Sequence, residues 1–315
     1  MRKPWQGILG ESRIQKPLLR RIARSRLLRK LFKRRLTPVE RRASWHRPED
    51  EFAYVETYHA NVINTFDLFK GAVPITGKRI LDLGCGQGAL SCRYAEAGAR
   101  MVVGSDRNDE GWPLRNARAY LEYKGLRQVV PLVQGDAVVL PFADATFDLV
   151  ALNDVCDHIV GLSRALQECY RVLAPGGHVA ITFIPWHHPG GFHLMDYIPI
   201  PYANLVFSER AVVETLVEMA AQDPAVANSI SGLKRNPPPT TLDEIGIALS
   251  RVTIRQFQRM LDETDFNVRH FELVGFGRKS KNRLWAGLLD SLTRIPLVKE
   301  LLTSRINCLL EKPAQ

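Results

Sequence analysis

An α/β fold built on a doubly wound, mostly parallel sheet is predicted for this 315-residue chain by three observations. Strand-like and helix-like segments alternate from residue 51 onward, the pattern of repeated β-α-β units. The first strand runs directly into a G-x-G-x-G turn that opens a helix. Acidic or amide residues then end the next three strands, where such sheets bind ligands.

The elements follow in order. Val55, His59, Val62, Phe66 and Phe69 recur at helical spacing, which predicts a helix over 52–69. Residues 79–83 form a short apolar strand, 90–97 a helix stopped by Gly98, and 101–104 the second strand. A helix over 112–124 ends at Gly125, and strands follow at 129–133 and 147–152. Residues 163–173 read as a helix closed by Pro175-Gly176-Gly177, with a fifth strand at 179–184. Residues 185–202, dense in Pro, Gly, His and aromatics, read as an ordered loop. Ser208 can cap a helix to Met219, and 223–241, with its three consecutive prolines, reads as a loop. Thr253 caps a helix to about Glu263. Strands close the chain at 267–274 and 305–310, with an apolar helix around 285–292 between them.

Charge divides the chain unevenly. Residues 1–47 carry 16 basic and 2 acidic side chains, a net +14, whereas the formal total is only +10. The remainder therefore sums to −4, and the basic character belongs to an N-terminal arm. Leucines interleave the arm, but they swing from one side of a helix to the other, so its amphipathicity over the whole stretch is weak. Four readings stand: a surface helix on anionic lipid, a phosphate-binding arm for nucleic acid, a solvated extension, or a transit peptide. The domain organisation expected is this arm, then a single domain over 48–315 with substrate-side insertions at about 185–250 and 276–302.

Several classes fall away. The longest stretch free of Asp, Glu, Lys and Arg, residues 172–195, holds four glycines, three prolines and four histidines, so it is not a continuous membrane span. Five cysteines without a C-x-x-C pair argue against a disulfide scaffold or structural zinc. With no long apolar signal core at the start, the expectation is a cytoplasmic protein, peripheral at the membrane if the arm binds lipid.

The chemistry concentrates in residues 79–88. Gly84, Gly86 and Gly88 permit a tight turn and backbone approach to a ligand, and the helix beyond offers N–H groups and partial positive charge. Asp82 stands two residues before the first glycine, and the spacing differs from the G-x-G-x-x-G of dinucleotide sites. Asp106 ends the second strand, where a carboxylate can hold ribose hydroxyls. Asp136 and Ala137 follow the third strand, placed to read an adenine edge, and Asn153 ends the fourth.

On these residues, together with Leu140-Pro141-Phe142, Asp157-His158-Ile159 and the run 168–177, the chain resembles the class I S-adenosylmethionine-dependent methyltransferases, in their ubiquinone/menaquinone-type (type 11) branch. The resemblance covers residues 50–185 strongly. It implies a seven-stranded Rossmann-like sheet whose last strand is antiparallel, with S-adenosyl-L-methionine as cofactor. Gly84 to Gly88 would wrap its methionine part, Asp106 its ribose, and Asp136 with Ala137 its adenine, while 153–158 would line the methyl-transfer site. The chain departs at Asp265-Phe266, where the family often has Gly-Phe. The implied function is methyl transfer to a small-molecule, glycan or lipid-linked acceptor. Alternatives are an RNA or protein methyltransferase docking through the arm, or a non-catalytic cofactor-binding scaffold.

Removal of an acceptor proton calls for a base, and histidine titrates in the useful range. His158 follows the fourth strand, and His187 and His193 sit in the 185–202 loop; these three are the candidate bases. The loop's H-H-x₄-H spacing is not a specific metal signature, and no metal is expected. Residues 185–193 also resemble a loop in bacterial methyltransferases associated with glycans and secondary metabolites. Nucleic acid is disfavoured: Asn153-Asp154-Val155-Cys156 replaces the N-P-P-Y of amino-methylating DNA enzymes, no cysteine follows a proline, and the body is acidic.

Overall fold

A computed structural model describes residues 15–25, 52–53, 55–57, 64–107, 114–189, 194–229, 231–234, 236–245, 250–275, 291–292 and 295–314. The chain divides into two compact units. One comprises Glu49–Ile184, Val252–Val274 and Arg305–Gln315; the other comprises Met1–Pro48, Pro185–Arg251 and Gly275–Ser304.

The first unit carries seven strands: β1 (Arg79–Leu83), β2 (Met101–Asp106), β3 (Leu132–Gln134), β4 (Phe147–Asn153), β5 (Leu173–Phe183), β6 (Asn267–Gly275) and β7 (Thr303–Glu311). They form one sheet in the order β3-β2-β1-β4-β5-β7-β6. The pairs β1/β2, β1/β4, β2/β3 and β4/β5 are parallel, and β7 runs antiparallel to β5 with Cys308 opposite Ile181. The helices of this unit are α1 (Thr65–Phe69), α2 (Ala89–Glu96), α3 (Leu114–Tyr123), α4 (Leu162–Val172) and α5 (Ile254–Asp262).

Side chains alternate across a strand, and β1 and β4 bury both faces. Leu81, Leu83, Val150 and Leu152 join Leu166 of α4 and Phe257 of α5 in one apolar cluster. Ile80, Leu149 and Ala151 join Leu90 of α2 and Leu121 of α3 in another. Burial on both faces is why these strands read as near-continuous apolar runs.

Element boundaries depart from expectation where side chains or turns intervene. Asn64 is extended and its Oδ1 accepts the Asp67 N–H at 2.9 Å, so a new helix starts at Thr65 inside the predicted 52–69 span. Val129 and Val130 donate to the Leu126 carbonyl in a turn, which leaves β3 only three residues long. The Pro175-Gly176-Gly177 turn belongs to β5, because the Gly176 N–H donates to the Lys312 carbonyl and the Lys312 N–H donates to the Gly177 carbonyl, tying the turn to the chain end. The strand thus begins at Leu173, six residues before its predicted start. Asp265 has no positive φ and is exposed, while Phe266 is buried with its ring edge-on to Tyr170 at 5.0 Å. No glycine is needed at this turn.

The second unit is helical where it is described. Gln15–Arg24 packs along Glu209–Gln222: Leu19 and Ala23 are fully buried, and Leu19 shares a cluster with Phe207, Val212 and Leu216. Lys16 pairs with Glu214 and Glu218 at 2.9 Å each, and Arg20 pairs with Glu218. Gln15 Oε1 accepts the Ser208 N–H. Ser208 caps its helix through the Ala211 N–H, as its sequence position suggests. These ten residues of the basic arm are a packed helix and not a solvated extension; the rest of the arm lies outside the described residues. Within 223–241, Pro224–Ser229 is a helix and Ser231–Lys234 a 3₁₀ turn, since proline is preorganised for a first helical position. The predicted helix at 285–292 lies outside the described residues apart from its last two. No described helix is long and apolar enough to cross a membrane.

Truncating Leu19 should therefore loosen this unit. Leu19→Ala is expected to cost about 2–5 kcal/mol, read as faster hydrogen exchange along Glu209–Gln222. Unchanged protection there would mean the helix does not dock in solution.

Candidate active site

At the carboxyl ends of β1 and β2 the chain folds a tight backbone nest. The Gly84 and Cys85 N–H groups both donate to the Ser105 carbonyl, at 2.7 and 3.1 Å. Gly84 has φ 77°, and a Cβ there would lie 2.3 Å from Val155 Cγ2. It is glycine because the loop after β4 presses on it as well as because of its left-handed backbone. Gly86, at φ 51°, donates its N–H to Asp106 Oδ2 at 2.9 Å, and a Cβ there would meet nothing within 4 Å. Of these two glycines, Gly86 leaves its backbone open for a ligand. Gly88 is the N-cap of α2 and makes no side-chain cap.

The crevice beside this nest is lined by Leu83 and Gly84 from β1, Asp106 and Arg107 from β2, and Gly135 to Ala137 after β3. Val155 and His158 to Val160 line it from beyond β4. About 570 Å³ of atom-free space lies within it, part of it open solvent. Asp136 Oδ1 accepts the Val138 N–H at 3.1 Å, and the Gly135 N–H donates to the Asp106 carbonyl at 3.0 Å. One short network thus holds the β2 and β3 ends together.

Two expected ligand contacts point elsewhere. Asp82 is 1% exposed; its carboxylate accepts the Ser91 hydroxyl at 2.6 Å and a backbone bond from the same residue. It braces the first turn of α2 from beneath the nest and has no surface to offer a ligand. Asn153 is half-buried, and its Oδ1 accepts the Thr65 N–H at 3.0 Å. That bond anchors the start of α1, and Asn153 is absent from the crevice lining.

The candidate bases separate. His158 lines the crevice, with Nε2 at 3.4 Å from Asp157 Oδ2. Asp157 is 4% exposed and its Oδ1 has no hydrogen-bond partner among the described residues. His187 belongs to the other unit, where Nδ1 lies 3.4 Å from Glu300 Oε2. His193 lies outside the described residues. No group of three metal-ligating side chains occurs among the described residues. Burial pushes the Cys85 and Cys156 thiols well above their ordinary value, so neither supplies a thiolate nucleophile. Val155 and Asp157 fall in the 153–158 segment that the resemblance points to, but neither was given a role by sequence, and Arg107 was not singled out at all. Asp157 carried a further signal, as the neighbour of His158.

Burial raises the Asp82 carboxyl to about 6; the Ser91 bonds oppose this and the Asp106 charge adds to it. Its folded value lies above its unfolded one, so its contribution to stability is full below about pH 4 and is lost as pH rises through 6. Asp82→Asn should abolish that decline in urea unfolding between pH 4 and 7. At pH 7 the variant should gain up to about 3 kcal/mol over wild type. An unchanged slope would locate the titration at another group.

Residues 81–181 match the family model described as Methyltransferase domain. The demethylmenaquinone methyltransferase of Thermus thermophilus is 39% identical over 119 residues, 38% of this chain and 52% of that protein. A ubiquinone biosynthesis O-methyltransferase of Shewanella halifaxensis is 32% identical over 143 residues, 45% of this chain and 58% of that one. A sterol 24-C-methyltransferase of Pneumocystis carinii is 34% identical over 101 residues, 32% and 26% respectively. The chain thus spans from about a quarter to somewhat over half the length of these relatives. A solved S-adenosylmethionine-dependent methyltransferase from Mesorhizobium loti overlays with a TM-score of 0.46 at 18% identity, over 78% of this chain and 96% of that one, too remote a likeness to carry function. Over residues 81–181, which hold β2 to β4 and most of β1 and β5, the chain is thus similar to methyltransferase domains.

Proposed function

We propose that this chain transfers the methyl group of S-adenosylmethionine to a small-molecule acceptor, with a lipid-linked ring as its narrower form. The observation that carries the reading is the Asp106 carboxylate tied to the Gly86 N–H at the mouth of a crevice that also holds Asp136 and Ala137. The residues present fit the cofactor. Gly86 leaves a backbone face that a Cβ would otherwise cover. Two carboxylates line a crevice that must receive a cationic sulfonium and two ribose hydroxyls. When bound, S-adenosylmethionine supplies an electrophilic methyl on positively charged sulfur.

The chain then has to align the acceptor and exclude water, which is worth on the order of 7–11 kcal/mol of barrier. Val155, Ile159 and Val160 give the crevice an apolar wall. His158, on the crevice wall, would take the proton that the acceptor loses. Asp157 lies behind His158 and stabilises the imidazolium that results. The printed activities of the relatives, on demethylmenaquinone, in ubiquinone biosynthesis and on sterol, support a small and lipid-soluble acceptor.

Titration calorimetry with S-adenosylmethionine, and separately with NADH, tests the cofactor. Asp106→Ala should weaken binding of the methyl donor about 10- to 150-fold, the range for a lost hydrogen bond to a charged group. His158→Ala should leave donor binding intact and lower kcat about 10²- to 10⁴-fold with demethylmenaquinol as acceptor. Binding of NADH alone, or of neither, would sink the reading.

A cytoplasmic protein at the membrane periphery goes with a lipid-linked acceptor, and the exposed Leu18 and Arg21 of the Gln15–Arg24 helix support it. Co-flotation with phosphatidylglycerol vesicles should be strong and lost when Arg21 and Arg24 become Glu. Equal flotation with neutral vesicles would refute the electrostatic part of the idea.

A further inference from the structure

A polar chain crosses the carboxyl-end edge of the sheet beside the crevice loop. Arg305, at the third position of β7, donates from Nη1 to Asp154 Oδ1 and to Thr182 Oγ1, the latter at 2.9 Å. Thr182 is fully buried and donates to Asn307 Oδ1 at 3.1 Å, and the Asn307 amide donates to Glu272 Oε2 at 2.8 Å. Asp154 has φ 51°, a costly backbone for a non-glycine residue, and its N–H donates to the Thr182 carbonyl at 2.7 Å. Strands β5, β6 and β7 and the residue directly after β4 thus all contribute to fixing one guanidinium.

What they leave open is its other side. Arginine has five N–H donors, and only Nη1 has partners here; Nε and Nη2 have none among the described residues. The side chain is 14% exposed. Because β7 is antiparallel to β5, with Ile306 opposite Phe183, its first residues lie at the edge where the parallel strands end. Asp154 directly precedes Val155, which lines the crevice. A guanidinium held this way, partly buried and with donors left over among the described residues, is a preorganised donor for oxygen.

We infer that Arg305 binds an oxygen of the methyl acceptor, specifically a phenol, phenolate or quinone carbonyl on a ring, through Nε and Nη2. The inference rests on the methyltransferase reading for the identity of the ligand and on the Asp154–Arg305–Thr182 geometry for the site. Asp154 and, through Asn307, Glu272 already offset the Arg305 charge, and His270 sits 3.9 Å from Glu272. The site therefore suits one ring oxygen and not a phosphate dianion. A phenolate held there is easier to form, which aids loss of the acceptor proton.

The test uses the full chain and 4-nitrocatechol, whose absorbance reports its ionisation. Wild-type protein should hold the bound phenolate at a pH about one unit or more below that of the free probe, the effect of a neighbouring cation. Arg305→Met should abolish the shift, and Arg305→Lys should restore part of it. Asp154→Asn, which uncovers the guanidinium charge, should enlarge it, whereas a purely structural role would make both Asp154→Asn and Arg305→Met weaken binding alike. No spectral shift with wild type, an equal shift in Arg305→Met, or displacement of the probe by inorganic phosphate overturns the assignment. Donor titration on the same samples separates the two ideas. Donor binding without the probe shift refutes the Arg305 site alone, and the probe shift without donor binding refutes the methyltransferase reading alone.

Discussion

The close approach of the β1–α2 turn to the loop after β4 is the constraint on which the site depends. Gly84 lies so near Val155 that any side chain there would overlap it, and the same turn hangs from the Ser105 carbonyl and the Asp106 carboxylate. Moving either strand end would open the nest. Strand pairing therefore sets the crevice, since β2, β1 and β4 are successive neighbours and each contributes one wall.

Carboxylates serve opposite purposes around this nest according to burial. Asp106 and Asp136 line the crevice, where a polar ligand would meet them. Asp82, a few residues away in the chain, is enclosed and spends its oxygens on Ser91, so it stores electrostatic strain while holding α2 in place. Asp157 is enclosed too, yet one oxygen faces His158 and the other has no hydrogen-bond partner among the described residues. Desolvation sets the cost in each case, and the local hydrogen bonds decide how far it is offset.

The second unit shows how charge density misleads when packing is unknown. Lys16 and Arg20 belong to a segment that reads as a uniformly cationic arm, yet Lys16 is matched by Glu214 and Glu218 and Arg20 by Glu218, nearly two hundred residues on. Leu19 and Ala23 bury beneath them. Only part of the arm's positive charge is therefore left for an external partner.

Much of the sheet-bearing unit was legible in the chain itself. Alternating apolar periods, the G-x-G-x-G turn and strand-end acids are local patterns, and local sterics and hydrogen bonding tie them to local structure; β1, the Ser208 and Thr253 caps, Gly86 and Asp106 follow from them. Tertiary structure alone decided which side chain faced the ligand. Asp82 and Asn153 look like ligand contacts by position, but burial against Ser91 and a bond to Thr65 turn them to bracing roles. Asp154 and Arg305 stand 151 residues apart, and they meet because β7 inserts antiparallel beside β5. Such pairings depend on the closure of the whole sheet, and a linear pattern carries no record of them.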